Sequence, residues 1–296
     1  MKLALGPVLY YWPRQTLLGF YTNLPHAQLA TIYLGEVVCS RRHGMRTADW
    51  LDLARDLART GVEVVLSTLA LIESEADLRA MRRVAENGEF LVEANDMGAV
   101  RVLAGRARFV AGPHLNVYNP QTLAWLGELG ASRWVMPVEL GRDALALLQP
   151  ERPGGMQTEV FAYGRLPLAF SARCFTARHY NLPKDDCQFR CLDHPDGQAL
   201  ATREGQPFLS LNGIQTQSAQ VYDLSGVLSP MRELGVDLLR LNPQSAGTNS
   251  VIEAYSRALQ GNLGGADLEK ALASCRLTDP CDGYWHGKPG IEHVTA

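Results

Sequence analysis

The sequence predicts a (β/α)8 barrel, and three observations carry that prediction. Eight short β-rich runs recur along the chain, most are followed by helical spacing or capping residues, and 296 residues suit one barrel of this class. An open doubly wound sheet is the competing arrangement. No strand leads into G-x-G-x-x-G, and no P-loop pattern occurs, so a dinucleotide-binding version of that sheet is disfavoured.

The runs are Lys2–Leu9 (KLALGPVL), Thr31–Glu36 (TIYLGE), Val62–Thr68 (VEVVLST), Phe90–Ala94 (FLVEA), Phe109–His114 (FVAGPH), Arg133–Pro137 (RWVMP), Thr158–Tyr163 (TEVFAY) and Asp237–Leu241 (DLLRL). Each is rich in branched or aromatic residues and bounded by Gly, Pro, Asn or charged residues. The intervening helices are typified by Thr47–Arg59, where Trp50, Leu51, Leu53, Ala54 and Leu57 share one face behind a Thr47 cap. Glycine pairs such as Gly154-Gly155 and Gly264-Gly265 read as turns. The rhythm breaks once. Between Tyr163 and Asp237 lie more than 70 residues, too long for a βα or αβ connection, so a single domain over 1–296 carries an insertion at 164–236, after the seventh strand. Within it, Pro207–Asn212 is strand-like.

Composition narrows the function classes. With 46% hydrophobic and 20% charged residues the chain can bury a sizeable core. Lys and Arg total 28 against 31 Asp and Glu, a formal charge of −3, which lacks the basic excess of most nucleic-acid binders. Pro7 interrupts the opening apolar run and no small-residue cleavage site follows it, so no signal peptide is expected. The stretch Gln15–Gly35 lacks charged residues but holds Asn23, Pro25, His26 and Gln28, so it is not expected to span a membrane. A cytoplasmic location follows as the default, and there the six cysteines are expected to be thiols or metal ligands rather than disulfides.

Cys174, Cys187 and Cys191 form a C-x12-C-x3-C array in a polar segment of the insertion that reads as loop. Free cysteine is usually buried, so three in such a segment call for a chemical explanation, and thiolates at this spacing suit zinc or an iron-sulfur cluster. Cys39 is the leading fourth ligand. It lies just past the second strand, and in a barrel the loops after strands two and seven open on the same face. The rival is a zinc site of Cys187, Cys191, Cys275 and Cys281.

Other polar residues lie at strand ends. Glu36, Glu93, Glu139 and Glu159 could handle protons, Glu159 less well placed because it begins its strand, though pairing with arginine or helix capping is the commoner fate of such carboxylates. Arg41, Arg42, His43 and Arg46 follow Cys39, while Arg165, Arg173, Arg178 and His179 flank Cys174; they could favour a reduced cluster or hold a carboxylate, or simply be solvated. His114, Asn116, Tyr118 and Asn119 could position a ring, with loop-building turns as the plainer account. Trp285 and His286 are read as packing the tail.

The segment EVFAYGRLPLAFSARC, Glu159 to Cys174, resembles the collagenase-like peptidase family of unassigned catalytic type, whose pattern is approximately Glu-x-Phe-x-x-Gly, nine residues, Cys. Glu159, Phe161, Gly164, Ser171 and Cys174 match it. Arg165, Pro167, Phe170 and Ala172 depart from its commonest form and, with YLGEVVCSRRHGMR and RHYNLPKDDCQFRC, resemble one branch, the accessory proteins of ubiquinone biosynthesis. The resemblance implies a [4Fe-4S] cluster on Cys39, Cys174, Cys187 and Cys191. It implies oxygen-independent hydroxylation of a prenylated phenol precursor, as a heterodimer with the related UbiU and with help from a lipid-binding accessory protein. Hydroxylation of RNA bases, as in other members of the wider family, and a zinc-stabilised binding protein are the alternatives. Proteolysis is not expected, since no H-E-x-x-H or G-x-S-x-G occurs and no nucleophile has an evident base beside it.

Overall fold

The computed structural model describes residues 1–294. Eight parallel strands close a barrel: β1 (Lys2–Leu5), β2 (Thr31–Leu34), β3 (Glu63–Ser67), β4 (Leu91–Ala94), β5 (Phe109–Ala111), β6 (Ala131–Val135), the first half of β7 (Gln157–Phe170) and, after the insertion, β11 (Leu238–Leu241). Closure is made by β11, which pairs in parallel with β7 on one side and β1 on the other. Helices cover the outside. The predicted helix runs over Thr47–Ala58 and buries Leu53, Ala54 and Leu57, with Trp50 and Leu51 partly covered. Its cap is Arg46 rather than Thr47: the Asp49 carboxylate accepts from the Arg46 backbone N–H at 2.8 Å.

Two strands differ instructively from the sequence reading. β1 stops at Leu5 because, after Gly6 donates its N–H to the Leu241 carbonyl at 2.9 Å, Pro7 has no N–H to continue the ladder. β7 continues past Tyr163. At Gly164 the backbone takes φ +126°, and a Cβ there would stand 2.8 Å from the Asn242 side chain, so only glycine lets the strand turn out of the barrel. Its second half pairs antiparallel with β10 (Gln215–Asp223), which carries β9 (Pro207–Asn212) and β8 (Gln198–Ala201). β12 (Pro280–Cys281) adds in parallel to β10, and Trp285 just beyond it is fully buried. The insertion is therefore an antiparallel sheet growing from a barrel strand, with the cysteine segment looping from one end of it.

The barrel interior is unusual in its charge. Ala4, Tyr33, Val65, Val110, Val135 and Leu238 form an apolar cluster separate from the outer core. Beside them Arg240 bonds Glu159 at 2.6 Å and Glu93 at 2.7 Å and lies 4.1 Å from the Tyr33 ring centre. Glu159 also accepts from the Tyr33 hydroxyl, and Arg133 reaches that hydroxyl at 3.0 Å and Glu63 at 2.7 Å. Arg240, Glu93 and Glu159 are all at most 3% exposed. Such a network adds little net stability against an apolar core of equal volume, yet removing one member strands the rest.

Candidate functional site

The loop after β2 places Cys39. Within it the Glu36 carboxylate accepts from the backbone N–H groups of Val38 at 2.9 Å and Cys39 at 3.0 Å, folding the turn that presents the thiol. Cys39 packs with Leu9, Val37, Val38 and Ile214, and Cys174 borders the same cluster. Burial pushes the Cys39 thiol up to about 11, with the Arg42 guanidinium opposing and Cys174 adding to the rise.

Cys174 follows the end of β7 and caps the short helix Phe175–His179, its Sγ accepting from the Ala177 N–H at 3.4 Å. Cys187 and Cys191 sit on two consecutive 3-10 turns, and between them Gln188 and Phe189 both take left-handed φ near +50°. For non-glycine residues each such conformation costs about 1–2 kcal/mol, so the chain is reversed here against its local preference. Cys191 is raised by burial and then lowered by Arg42, with Cys174 and Cys187 raising it further. Each of the four thiols therefore has another of the set as an electrostatic neighbour. They do not close into a ligating group as placed: among the described residues, no three His, Cys, Asp or Glu stand as a metal site. Cys275 and Cys281 belong elsewhere, Cys281 in the main core and Cys275 against the carbonyls of Ala271 and Leu272, with Asp223 as their common electrostatic neighbour.

Arg42 stands at the centre of this region. One Nη donates to the Leu9 carbonyl at 2.7 Å and lies 3.4 Å from Glu36; the other donates to Asn212 Oδ1 at 2.7 Å. Its Nε is buried without a partner. One side chain thus joins the first strand's loop, the Cys39 turn and the end of β9. Asn212 completes the tie by donating to Leu9 at 2.8 Å. Tyr11 extends it, with Arg42 5.6 Å above its ring and the Phe189 ring 5.8 Å away. Lys184 bonds the Ala172 carbonyl and Glu73, holding the Cys174 and Cys187 segments together.

The remaining sequence candidates divide. Of the basic residues around Cys39 and Cys174, only Arg42 is buried; His43, Arg46, Arg173, Arg178 and His179 are exposed, Arg41 pairs with Asp185, and Arg165 is half-buried. Glu93 and Glu159 are taken by the barrel network. For Glu93, burial alone would raise the carboxyl, but Arg240, Ser67 and Asn95 outweigh it and hold the group below its ordinary value. Glu139 is exposed and meets Tyr118 at 3.3 Å. Asn116 builds a left-handed turn and Asn119 caps the helix Pro120–Glu128, so both are loop residues. His114 stacks edge-on against Phe170 at 4.8 Å, and burial pushes it down to about 4, so it is neutral at pH 7. His286 lies 3.3 Å from Asp282 in the tail. Sequence reasoning did not single out Asn212 or Tyr11; neither sits in a motif, and only the fold brings them to Arg42.

No helix of the described residues is long and apolar enough to cross a membrane. Among solved structures the chain is similar to the U32 peptidase Mk0906, at 14% identity over 82% of this chain and 93% of that one, TM-score 0.45. It is also similar to dihydropteroate synthase (FolP) from Thermus thermophilus, at 12% identity over 89% and 94%, TM-score 0.43. A third is tryptophan synthase from M. tuberculosis, at 13% identity over 93% of each chain, TM-score 0.43. The model of peptidase family U32 matches residues 22–295, nearly the whole barrel and the cysteine-bearing insertion, and the chain belongs to that family.

Proposed function

We propose that the chain is an iron-sulfur protein of the UbiV branch of this family, serving oxygen-independent hydroxylation of a prenylated phenol precursor in ubiquinone biosynthesis as a heterodimer with UbiU. The observation that carries the reading is that Cys39 and Cys191, 152 residues apart in the chain, both neighbour the buried Arg42, with Cys174 near each of them and Cys187 near Cys191. The donor set fits a [4Fe-4S] cluster in kind: four soft thiols, one anchored by the Glu36 turn, one by a helix start and two on a strained reversal, with a cation beside them. When bound, such a cluster supplies one-electron transfer. The protein's own part is to exclude water from Cys39, to keep Arg42 beside the thiols and to close the insertion over the barrel face. A lipid-binding accessory protein would deliver the apolar precursor.

The test is anaerobic purification followed by iron and sulfide counting. About four irons per chain are expected, and Ala at Cys39, Cys174, Cys187 or Cys191 should remove most of them, whereas Cys275→Ala and Cys281→Ala should not. A colourless protein holding zinc would replace this reading with a structural-zinc one. Iron that depends on Cys275 and Cys281 but not on Cys39 would overturn the ligand set.

A further inference from the structure

One cavity of the molecule is set apart from the barrel mouth. It holds about 790 Å3 and lies outside the strand ring, between the C-terminal ends of β2 and β3 and the helices Thr47–Ala58 and Glu75–Ala85. That volume falls within the ~300–1,000 Å3 typical of small-molecule sites. Its floor is apolar, made by Leu66, Leu69, Met81 and Trp50, and two small residues, Ala48 and Ala80, line its opposite helical walls.

The rim is basic. His43, Arg46 and Arg83 line the opening and are exposed. The carboxylates nearby are engaged elsewhere: Asp49 is held by Arg14 at 2.9 Å, Asp77 accepts from the Glu73 N–H at 3.1 Å, and Glu36 is bound to the Cys39 turn and Arg42. The Ser67 and Thr68 hydroxyls at the inner end already donate to Glu93. The interior thus offers apolar surface with few free polar groups, and unpaired positive charge stands only at the entrance. An apolar molecule of this size gains by burial, and one acidic group at its end would meet the arginines rather than be desolvated.

We infer that this cavity binds an amphipathic organic anion, an apolar ring or chain carrying one acidic group, with the apolar body on Leu66, Met81 and Trp50 and the acidic group at Arg46 and Arg83. The inference goes beyond the proposed function and does not depend on a bound cluster. Arg42 and Glu36 also line the cavity, so its occupant would share a wall with the Cys39 turn.

The test uses the full chain, purified anaerobically, with two fluorescent probes of similar apolar size: the anion 8-anilinonaphthalene-1-sulfonate and the neutral N-phenyl-1-naphthylamine, with dodecanoate as competitor. Saturable binding of one anion per chain is expected, displaced by dodecanoate. Ala80→Phe and Ala48→Phe, which fill the cavity from opposite walls, should each weaken both probes about tenfold or more, a loss of about 1.4 kcal/mol, while the melting temperature stays within a few degrees. The double change Arg46→Ala and Arg83→Ala should weaken the anion about fivefold and leave the neutral probe nearly unchanged. The inference is overturned if no saturable binding occurs, if both filled variants bind as the wild type does, or if the arginine changes weaken the two probes equally. Loss of iron without loss of probe binding would count against the cluster and leave the cavity standing.

Discussion

Replacing Arg240 by Met is the sharpest probe of the charged barrel interior. The guanidinium is 3% exposed and pairs with Glu159 at 2.6 Å and Glu93 at 2.7 Å, so its removal leaves two buried carboxylates facing Tyr33 with only Arg133 nearby. Breaking a buried pair by deleting one partner costs about 3–5 kcal/mol. For a chain of 296 residues that corresponds to a fall of about 5–8 °C in melting temperature. The pH dependence separates this cause from lost packing. In the wild type Glu93 is held below its ordinary value, so its contribution is present above the unfolded carboxylate range and fades as pH drops through the folded value. Without Arg240, burial dominates and Glu93 titrates above its ordinary value, so the variant is penalised at neutral pH and relieved on acidification. Melting curves by circular dichroism between pH 7.5 and 5 should therefore converge for the two proteins, and Glu93→Gln added to Arg240→Met should recover part of the loss at pH 7.5. A melting difference that stays constant over this range, or a variant as stable as the wild type, would refute the reasoning.

Two further outcomes concern activity. The anaerobically purified protein should not cleave gelatin or a peptide library, because among the described residues no serine or cysteine is hydrogen-bonded to a histidine that could serve as its base: His114 faces Phe170, the Cys174 thiol accepts from a backbone N–H, and the exposed Ser245 hydroxyl donates to Asp196. Cleavage abolished by one point substitution would reverse this. Anaerobic co-expression with UbiU should give a one-to-one complex by size-exclusion chromatography and mass measurement, burying on the order of 1,200 Å2 or more if it is stable; restoration of anaerobic ring hydroxylation by this chain alone, in cells lacking UbiU, would argue against a heterodimer.

The barrel is legible in the sequence because each strand advertises itself locally. TIYL, EVVLS and FVA are short branched or aromatic runs between turn residues, and parallel neighbours need no information beyond chain order. What escapes a local reading is pairing across distance. The segment after Tyr163 looks polar and broken because Arg165, Pro167 and Ser171 interrupt it, yet it remains a strand while β10, some 50 residues later, lies beside it. Glu159 suffers the same blindness. At the start of a predicted strand it reads as an ill-placed proton carrier, whereas the register with β11 sets it at the barrel centre between Arg240 and Tyr33.

The family pattern then acquires a physical meaning that its spacing does not state. Glu159 fixes the charged centre of the barrel, Gly164 is the point where β7 turns outward, and Cys174 sits where that strand, having left the barrel, starts a helix. The three lie along one continuous strand and its exit, so the pattern describes a device for carrying a thiol from the barrel wall to the face where Cys39 emerges. Arg42 completes the device from the other side. Among Arg41, Arg42, His43 and Arg46 nothing local marks it out; its partner Asn212, 170 residues away, does, because that bond holds the returning end of the insertion against the Cys39 turn. The same guanidinium is a neighbour of Cys39 and Cys191, so the residue that seats the insertion on the barrel is also the buried cation of the thiol group. Seating the insertion on the barrel and bringing Cys191 toward the Cys39 turn thus depend, in this fold, on one side chain.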